Sequence, residues 1–244
     1  MITWIASYPK SGNTWMKLFL KSYFNSSNSD FSINPKPDDN LQIQTFPVVT
    51  KFKDLNIEYK NFADIAKNWI SMQSLINLNN KSNYLKTHNA MCSINNYQFT
   101  NDENTIGAIY IVRDPRDVAI SYSKFLGKDI DETIEYILSN NCFEQDLFEN
   151  ELYKKSVMGS WAYHYNSWKN YTSNKIIIIK YEDMIKKTNE TFLRVLLYLN
   201  KIRNIEVNEK KMMNAISLTS FNNLKKLEKN EGLKENPSSE PFFR

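Results

Sequence analysis

A chain of 244 residues with a formal net charge of +4, 41% hydrophobic and 14% aromatic, has the material for one α/β domain over 1–244 and is not the composition of a disordered chain. The mild positive charge suits a small anionic ligand and is too weak to indicate nucleic acid. Cys92 and Cys142 are too few for a disulfide framework, no stretch reaches the roughly 18 apolar residues of a membrane span, and the first residues lack a signal peptide's regions, which points to the cytoplasm.

Ile2 to Ala6 is a short apolar run, broken at Tyr8-Pro9, that enters a polar loop carrying Lys10 and then helical spacing. Trp15, Phe19 and Tyr23, with Met16 and Leu20 beside them, recur at steps of three and four. Asn13 or Thr14 can cap that helix, which directs orphan N–H groups and the positive dipole end back at the loop. Strand, loop, helix N-terminus and lysine make a phosphate-binding arrangement; the bland alternative is an ordinary strand-to-helix turn with a surface lysine. It is not a Walker A loop, because Lys10 precedes Gly12 and no Gly-x-x-x-x-Gly-Lys spacing exists.

The stretch Tyr8-Pro9-Lys10-Ser11-Gly12-Asn13-Thr14-Trp15 resembles the 5′-phosphosulfate loop of the cytosolic-type sulfotransferases, the family that uses 3′-phosphoadenosine 5′-phosphosulfate (PAPS). The family's usual form is Tyr-Pro-Lys-Ser-Gly-Thr-Thr-Trp, so only Asn13 departs, and asparagine can still cap and donate. The resemblance implies that Lys10, Ser11, Gly12, Asn13, Thr14 and Trp15 bind the cofactor. Trp15 is then placed to stack on adenine, with a core tryptophan as the alternative.

Residues 26 to 61 are rich in Asn, Asp, Ser, Lys and Pro and read as irregular with one short helix, either covering a pocket or forming a mobile surface loop. Phe62 to Leu78 returns to the helical period, with Phe62, Ile65, Ala66, Trp69 and Ile70 on one side. Tyr84 to Thr87 is a short strand, and His88 follows its carboxyl end, where function gathers in open α/β sheets. A lone histidine is more often structural or exposed. Lys86-Thr87-His88 nevertheless resembles the family's Lys-Thr-His, whose histidine is the general base, followed here by Asn89-Ala90 in place of Leu-Pro. An ordinary imidazole titrates near neutral pH and serves as a base there.

Ile106 to Val112 is a buried strand that runs into Arg113-Asp114-Pro115, with Asp114 an N-cap and Pro115 a first helical residue. Arg113 thus stands beside a second helix N-terminus, as an anion ligand or as a solvated surface charge. This segment resembles the family's 3′-phosphate segment, Arg-x-x-(Lys/Arg)-Asp-x-x-x-Ser, which implies that Arg113 and Ser121 contact the 3′-phosphate; a guanidinium fork suits that task. Asp129 to Asn170 reads as mostly helical, with Trp161, Tyr165 and Trp168 as a core face; His164, off that face, is given no chemistry. Lys175 to Lys180 reads as a strand buried on both faces. The following Tyr181-Glu182-Asp183-Met184 resembles the family's Tyr-Glu-Asp-Met, whose tyrosine meets adenine, although a tyrosine packed at a strand's end fits the chemistry as well. Thr191 to Leu199 and Glu209 to Ile216 are further amphipathic helices. Thr219-Ser220-Phe221 matches the family's Thr-Ser-Phe, implying that Thr219 and Phe221 hold the nucleoside. Pro241-Phe242-Phe243-Arg244 matches the opening of the family's Phe-x-Arg-Lys-Gly, so the 3′-phosphate clamp that includes Arg244 is expected to be incomplete.

The resemblance covers most of the chain in order and implies an α/β fold, with a mostly parallel central sheet of about four or five strands flanked by helices in a P-loop-like topology. It implies transfer of a sulfuryl group from PAPS to a hydroxyl or amine of a small-molecule acceptor, leaving 3′,5′-bisphosphoadenosine. Lys10, with Lys86, would meet the charge developing on the leaving nucleotide, and His88 would take the acceptor's proton. No metal is expected. Phe46, Phe52 and Tyr59, the stretch after His88 and residues 141 to 155 are candidate acceptor-pocket linings; the acceptor and the oligomeric state are unread. The alternatives are a P-loop-like nucleotide kinase, disfavoured by the missing Walker spacing, and a bisphosphoadenosine-binding module without catalysis.

Overall fold

A computed structural model describes residues 1–25, 31–48, 54–58, 60–79, 81–140, 156–171, 175–236 and 241–243. The chain begins with β1 (Ile2–Ser7) and α1 (Asn13–Phe24), then β2 (Gln44–Thr45), α2 (Phe62–Lys67), α3 (Trp69–Asn77) and β3 (Asn83–Thr87). A ribbon of β4 (Ser93–Ile94) and β5 (Tyr97–Gln98) leads to β6 (Thr105–Val112), α4 (Pro115–Leu126), α5 (Ile130–Leu138) and α6 (Trp161–Lys169). β7 (Ile176–Lys180), α7 (Tyr181–Lys186), α8 (Thr188–Arg203), α9 (Glu209–Leu218) and α10 (Phe221–Glu231) complete it.

The five-stranded sheet has the order β2-β3-β1-β6-β7, and every pairing in it is parallel. This agrees with the α/β expectation. Side chains alternate across the pleat, so each strand feeds two cores. On one face Ile5, Ile109, Ile111 and Ile179 meet Phe19 and Leu20 of α1 and Phe192 and Leu196 of α8. On the other, Trp4, Ala6, Ala108 and Tyr110 meet Trp69 and Met72 of α3, Phe99 and Trp168 of α6. Burial on both faces is why β1 and β6 read as continuous apolar runs instead of alternating ones.

Several elements differ from their sequence reading. The helix expected over 62–78 breaks at Asn68: a capping box of Asn61 and Asp64 starts α2, and the Asn68 amide donates to the Asp64 carbonyl. The β4–β5 ribbon turns through Asn95 and Asn96 at φ 49° and 68°, the left-handed pair that a two-residue hairpin loop demands, and two such short strands leave no periodic signal. In α6 the buried pair is His164 and Trp168, whereas Trp161 and Tyr165 are only partly covered. The expectation that His164 lies off the packed face is therefore wrong: Tyr110 offers it a buried hydrogen bond, so the imidazole can enter the core. Phe52, Tyr59, Cys142, residues 141 to 155 and Arg244 lie outside the described residues. Phe46 is fully buried against Trp4 and Phe99.

Asn13 ties the first helix to the sheet. Its amide nitrogen donates to the Ile5 carbonyl at 3.0 Å and the Thr87 carbonyl at 3.2 Å, bridging β1 and β3. Replacing Asn13 with Ala should lower unfolding stability by about 1–3 kcal/mol, the cost of buried hydrogen-bond groups losing their partner; urea titrations of the two proteins measure it, and equal midpoints would exclude the bridge.

Candidate functional site

The sheet's register decides where the loops emerge. Ala6 pairs with Thr87, Ser7 with Ile111 and Val112 with Lys180, so the Tyr8–Gly12 loop, His88, Arg113 and Tyr181 leave one edge within a residue or two of each other. A cavity of about 1000 Å³ opens there. Lys10, Gly12, Asn13, Thr14 and Trp15 border it from the first loop, with Lys86 and His88 from β3, Arg113 and Ser121 from β6 and α4, and Tyr181 and Phe221 from the later helices. Residues 33–35 and 43–48 cover one side, which gives that part of the irregular stretch the pocket-covering role.

Gly12, not Asn13 or Thr14, is the N-cap of α1, at φ 100° and without a side-chain cap. Asn13 is already the first residue inside the helix, with its Nδ2 turned to the two strand carbonyls and its Oδ1 buried without a partner among the described residues. The helix thus starts with first-turn N–H groups that no side chain satisfies, bordering a cavity: a place for an anion. Gly12 is also required by space, since a Cβ there would lie 2.6 Å from the Tyr181 ring. That ring carries the Arg113 guanidinium at 4.4 Å, and Arg113 Nη1 donates to the Lys10 carbonyl at 2.9 Å. Arg113 Nε is buried with no partner among the described residues. The Lys10 ammonium lies between the Phe125 and Phe242 rings, 4.3 and 3.9 Å from their centres. Trp15 stands edge-on to Tyr181 and Phe192, so it both lines the cavity and packs against the core.

His88 Nδ1 lies 2.7 Å from the Ser7 carbonyl. A carbonyl only accepts, so Nδ1 carries the proton and Nε2 keeps its lone pair. Burial, with Lys86 adding to it, pushes this imidazole down to about 3, which corrects the near-neutral expectation: the ring stays neutral throughout the physiological range. Behind it, His164 Nε2 donates to the His88 carbonyl at 3.0 Å, and its Nδ1 accepts from the Tyr110 hydroxyl at 2.8 Å. Burial pushes His164 to about 3 as well. Asn89 holds the next turn: its Oδ1 accepts from the Val157 amide and its carbonyl from the Trp168 indole, both at 2.9 Å.

Lys86 donates to the Thr14 hydroxyl at 3.3 Å. Two residues that the motifs do not include join this group. Lys17, on α1, forms an ion pair of 2.5 Å with Glu235, and Lys86 approaches the same Glu235 oxygen at 3.7 Å. Burial acts to raise the Glu235 carboxyl, but Lys86, Lys17 and a Thr14 hydrogen bond outweigh it and hold it down at about 2. Lysines at positions 17 and 21, four apart within the apolar stretch from Trp15 to Leu20 and just after it, were the available signal; both are buried. Some predicted residues do not turn toward the cavity. The Thr219 hydroxyl donates to the Ala215 carbonyl at 2.6 Å, and Ser11 Oγ faces the Pro9 carbonyl at 3.5 Å.

The family model described as "Sulfotransferase domain" matches residues 2–244. The chain belongs to the sulfotransferase domain family. Cytosolic sulfotransferase 16 of Arabidopsis thaliana is 26% identical over 246 residues, covering 95% of this chain and 62% of the relative. Sulfotransferase 1B1 of Canis lupus familiaris is 26% identical over 222 residues, covering 91% of this chain and 65% of the relative. The chain therefore spans less than two thirds of the length of these curated relatives. Among solved structures, mouse sulfotransferase SULT7A1 complexed with PAP has a TM-score of 0.57 at 20% identity, covering 92% of this chain and 65% of that one. Retinol dehydratase in complex with androsterone and inactive cofactor PAP has a TM-score of 0.55 at 16% identity, covering 100% and 72%. At these identities the likeness establishes that the sulfotransferase domain here has their fold.

The two neutral histidines, His88 half-buried at the cavity and His164 fully buried, have a consequence for acid stability. Their folded pKa values, about 3, lie below the ordinary 6.5, so the unfolded chain takes up protons first as pH falls. Unfolding free energy should therefore drop between pH 6.5 and 5, above the range where carboxylates titrate, and His88→Asn should roughly halve that slope. Urea titrations across this window check it; a pH-independent free energy would contradict it.

Proposed function

We propose that this sulfotransferase domain, as one domain over 1–244, moves a sulfuryl group from PAPS to a hydroxyl or amine of a small acceptor in a cytosolic setting. The observation that carries the reading is the meeting, in one cavity, of an uncapped helix start, two lysines, an arginine with an unsatisfied Nε and a histidine whose tautomer leaves Nε2 free to accept a proton. The residues fit the cofactor. The buried Arg113 Nε lacks a partner and suits a phosphate oxygen, with Ser121 beside it on the cavity wall. Lys10 and the first turn of α1 would hold the 5′-phosphate, Lys86 and Thr14 the sulfuryl group beyond it, and Tyr181, Trp15 and Phe221 offer aromatic surface to a base.

PAPS supplies an activated sulfuryl group. The protein's part is to place positive charge and N–H donors where negative charge grows as that group departs, which is where preorganised donors accelerate a reaction most. His88 Nε2 receives the proton of the acceptor's hydroxyl or amine. A base this weak accepts late, once attack has made that proton acidic, yet it is never blocked by protonation near neutral pH. The apolar wall of Ile33, Ile43, Phe46 and Val48 removes water from the acceptor's side.

Binding and transfer are tested separately. Protection against thermal unfolding by 3′,5′-bisphosphoadenosine, exceeding that by AMP or by ATP with magnesium, supports the reading; magnesium-dependent protection by ATP would favour a nucleotide kinase. Arg113→Ala should weaken PAPS binding by about 1.5–3 kcal/mol and adenosine 5′-phosphosulfate far less. Equal losses in calorimetry would remove Arg113 from the 3′-phosphate. His88→Asn should leave PAPS affinity nearly unchanged while single-turnover transfer falls on the order of 10²–10⁴-fold, measured with an acceptor found by mass-spectrometric screening. Rates close to wild type would exclude His88 as the base.

A further inference from the structure

The Glu235 carboxylate is lodged inside the cavity among Lys17, Lys86 and Thr14. Two ammonium groups and a hydroxyl are a donor set for any small oxyanion, and a carboxylate presents the same kind of charged oxygens as a sulfonate. The place is also the right one. Lys86 is two residues before His88, and the His88 imidazole senses the charges of both Lys86 and Glu235. Without the carboxylate, two buried ammonium groups would face each other unneutralised, an arrangement that persists only with another anion between them.

The stretch that carries Glu235 is anchored by other contacts. Asn34 Nδ2 donates to the Gly232 carbonyl at 2.8 Å, and the Lys234 amide donates to Asn34 Oδ1 at 2.9 Å. The Glu235 side chain can therefore leave the lysines while its backbone stays in place.

We propose that Glu235 occupies the sulfuryl subsite as an internal anion, that Lys17 is a further sulfuryl-binding residue beside Lys86 and Thr14, and that PAPS binds by displacing this carboxylate. The inference rests on the assignment of PAPS as cofactor. It distinguishes donor from product: 3′,5′-bisphosphoadenosine lacks the sulfuryl group and binds with Glu235 still in its seat. After transfer, the carboxylate returns to the lysines.

The test is calorimetric titration of PAPS and of 3′,5′-bisphosphoadenosine into wild type, Glu235→Gln and Glu235→Asp. Glu235→Gln should tighten PAPS on the order of tenfold or more, the scale of a charge-assisted hydrogen bond, and leave the bisphosphate within about twofold. Glu235→Asp keeps the neutralising charge with a shorter reach and should tighten PAPS selectively by less, so the measurement survives if the glutamine variant fails to fold. Adding Lys17→Met to the folded Glu235 variant should weaken PAPS more than the bisphosphate. Equal changes for both ligands, or none, would overturn the inference while leaving the cofactor assignment intact. Binding of neither ligand to any of these proteins would overturn both.

Discussion

The parallel pairing of β1 between β3 and β6 is the constraint on which the rest depends. With Ala6 opposite Thr87 and Ser7 opposite Ile111, three chain segments far apart in sequence end at one level. A two-residue slip in either pairing would separate His88 or Arg113 from the Lys10 loop by about 6–7 Å, and a one-residue slip would turn Trp4 and Ile5 to the wrong cores. Asn13 reinforces that register at its carboxyl end, since its amide reaches a carbonyl of β1 and one of β3. Arg203 does the same at the amino end, donating to the Thr3 hydroxyl and to the carbonyls of Met1 and Asn83.

On that frame the cavity is an electrostatic arrangement rather than a collection of motifs. Lys10, Lys17, Lys86 and Arg113 all border it, and each is held by something other than bulk water: rings for Lys10, Glu235 for Lys17 and Lys86, a carbonyl and the Tyr181 face for Arg113. Burial is the main cause of the low pKa of His88, and the charges of Lys86 and Lys10 that could hold an anion add to it. The neutral His164 beneath it serves a different end. By donating to the His88 carbonyl and accepting from Tyr110, it fixes the backbone from which the reactive ring projects.

The family resemblance and the α/β architecture were legible because they rest on local features: apolar runs of strand length, a loop of fixed composition, and a histidine and an arginine directly after strands. The helices of α8 and α9 were legible from their period. Single residues whose partners are remote behaved differently. Asn13 looked like a cap and is a strand bridge. His164 looked peripheral and is buried, because the hydroxyl that satisfies it comes from Tyr110 on another element. The break at Asn68 was invisible because the apolar period carries across it, and the Asn95-Asn96 turn because the two-residue strands it joins are too short to have a period.

The sequence by itself determined the class of the domain, the order of its longer strands and most of its helices along the chain, and which residue types stand at the carboxyl ends of those strands. Those are properties of segments a few residues long, where side-chain periodicity and backbone preference act directly. Only the tertiary structure decided that Glu235 meets Lys17 and Lys86, that Gly12 must leave room for Tyr181, and that His88 is neutral and of fixed tautomer. Each of these depends on a distance between elements and on how much water is excluded around a charge, and both quantities exist only once the sheet has closed against its helices.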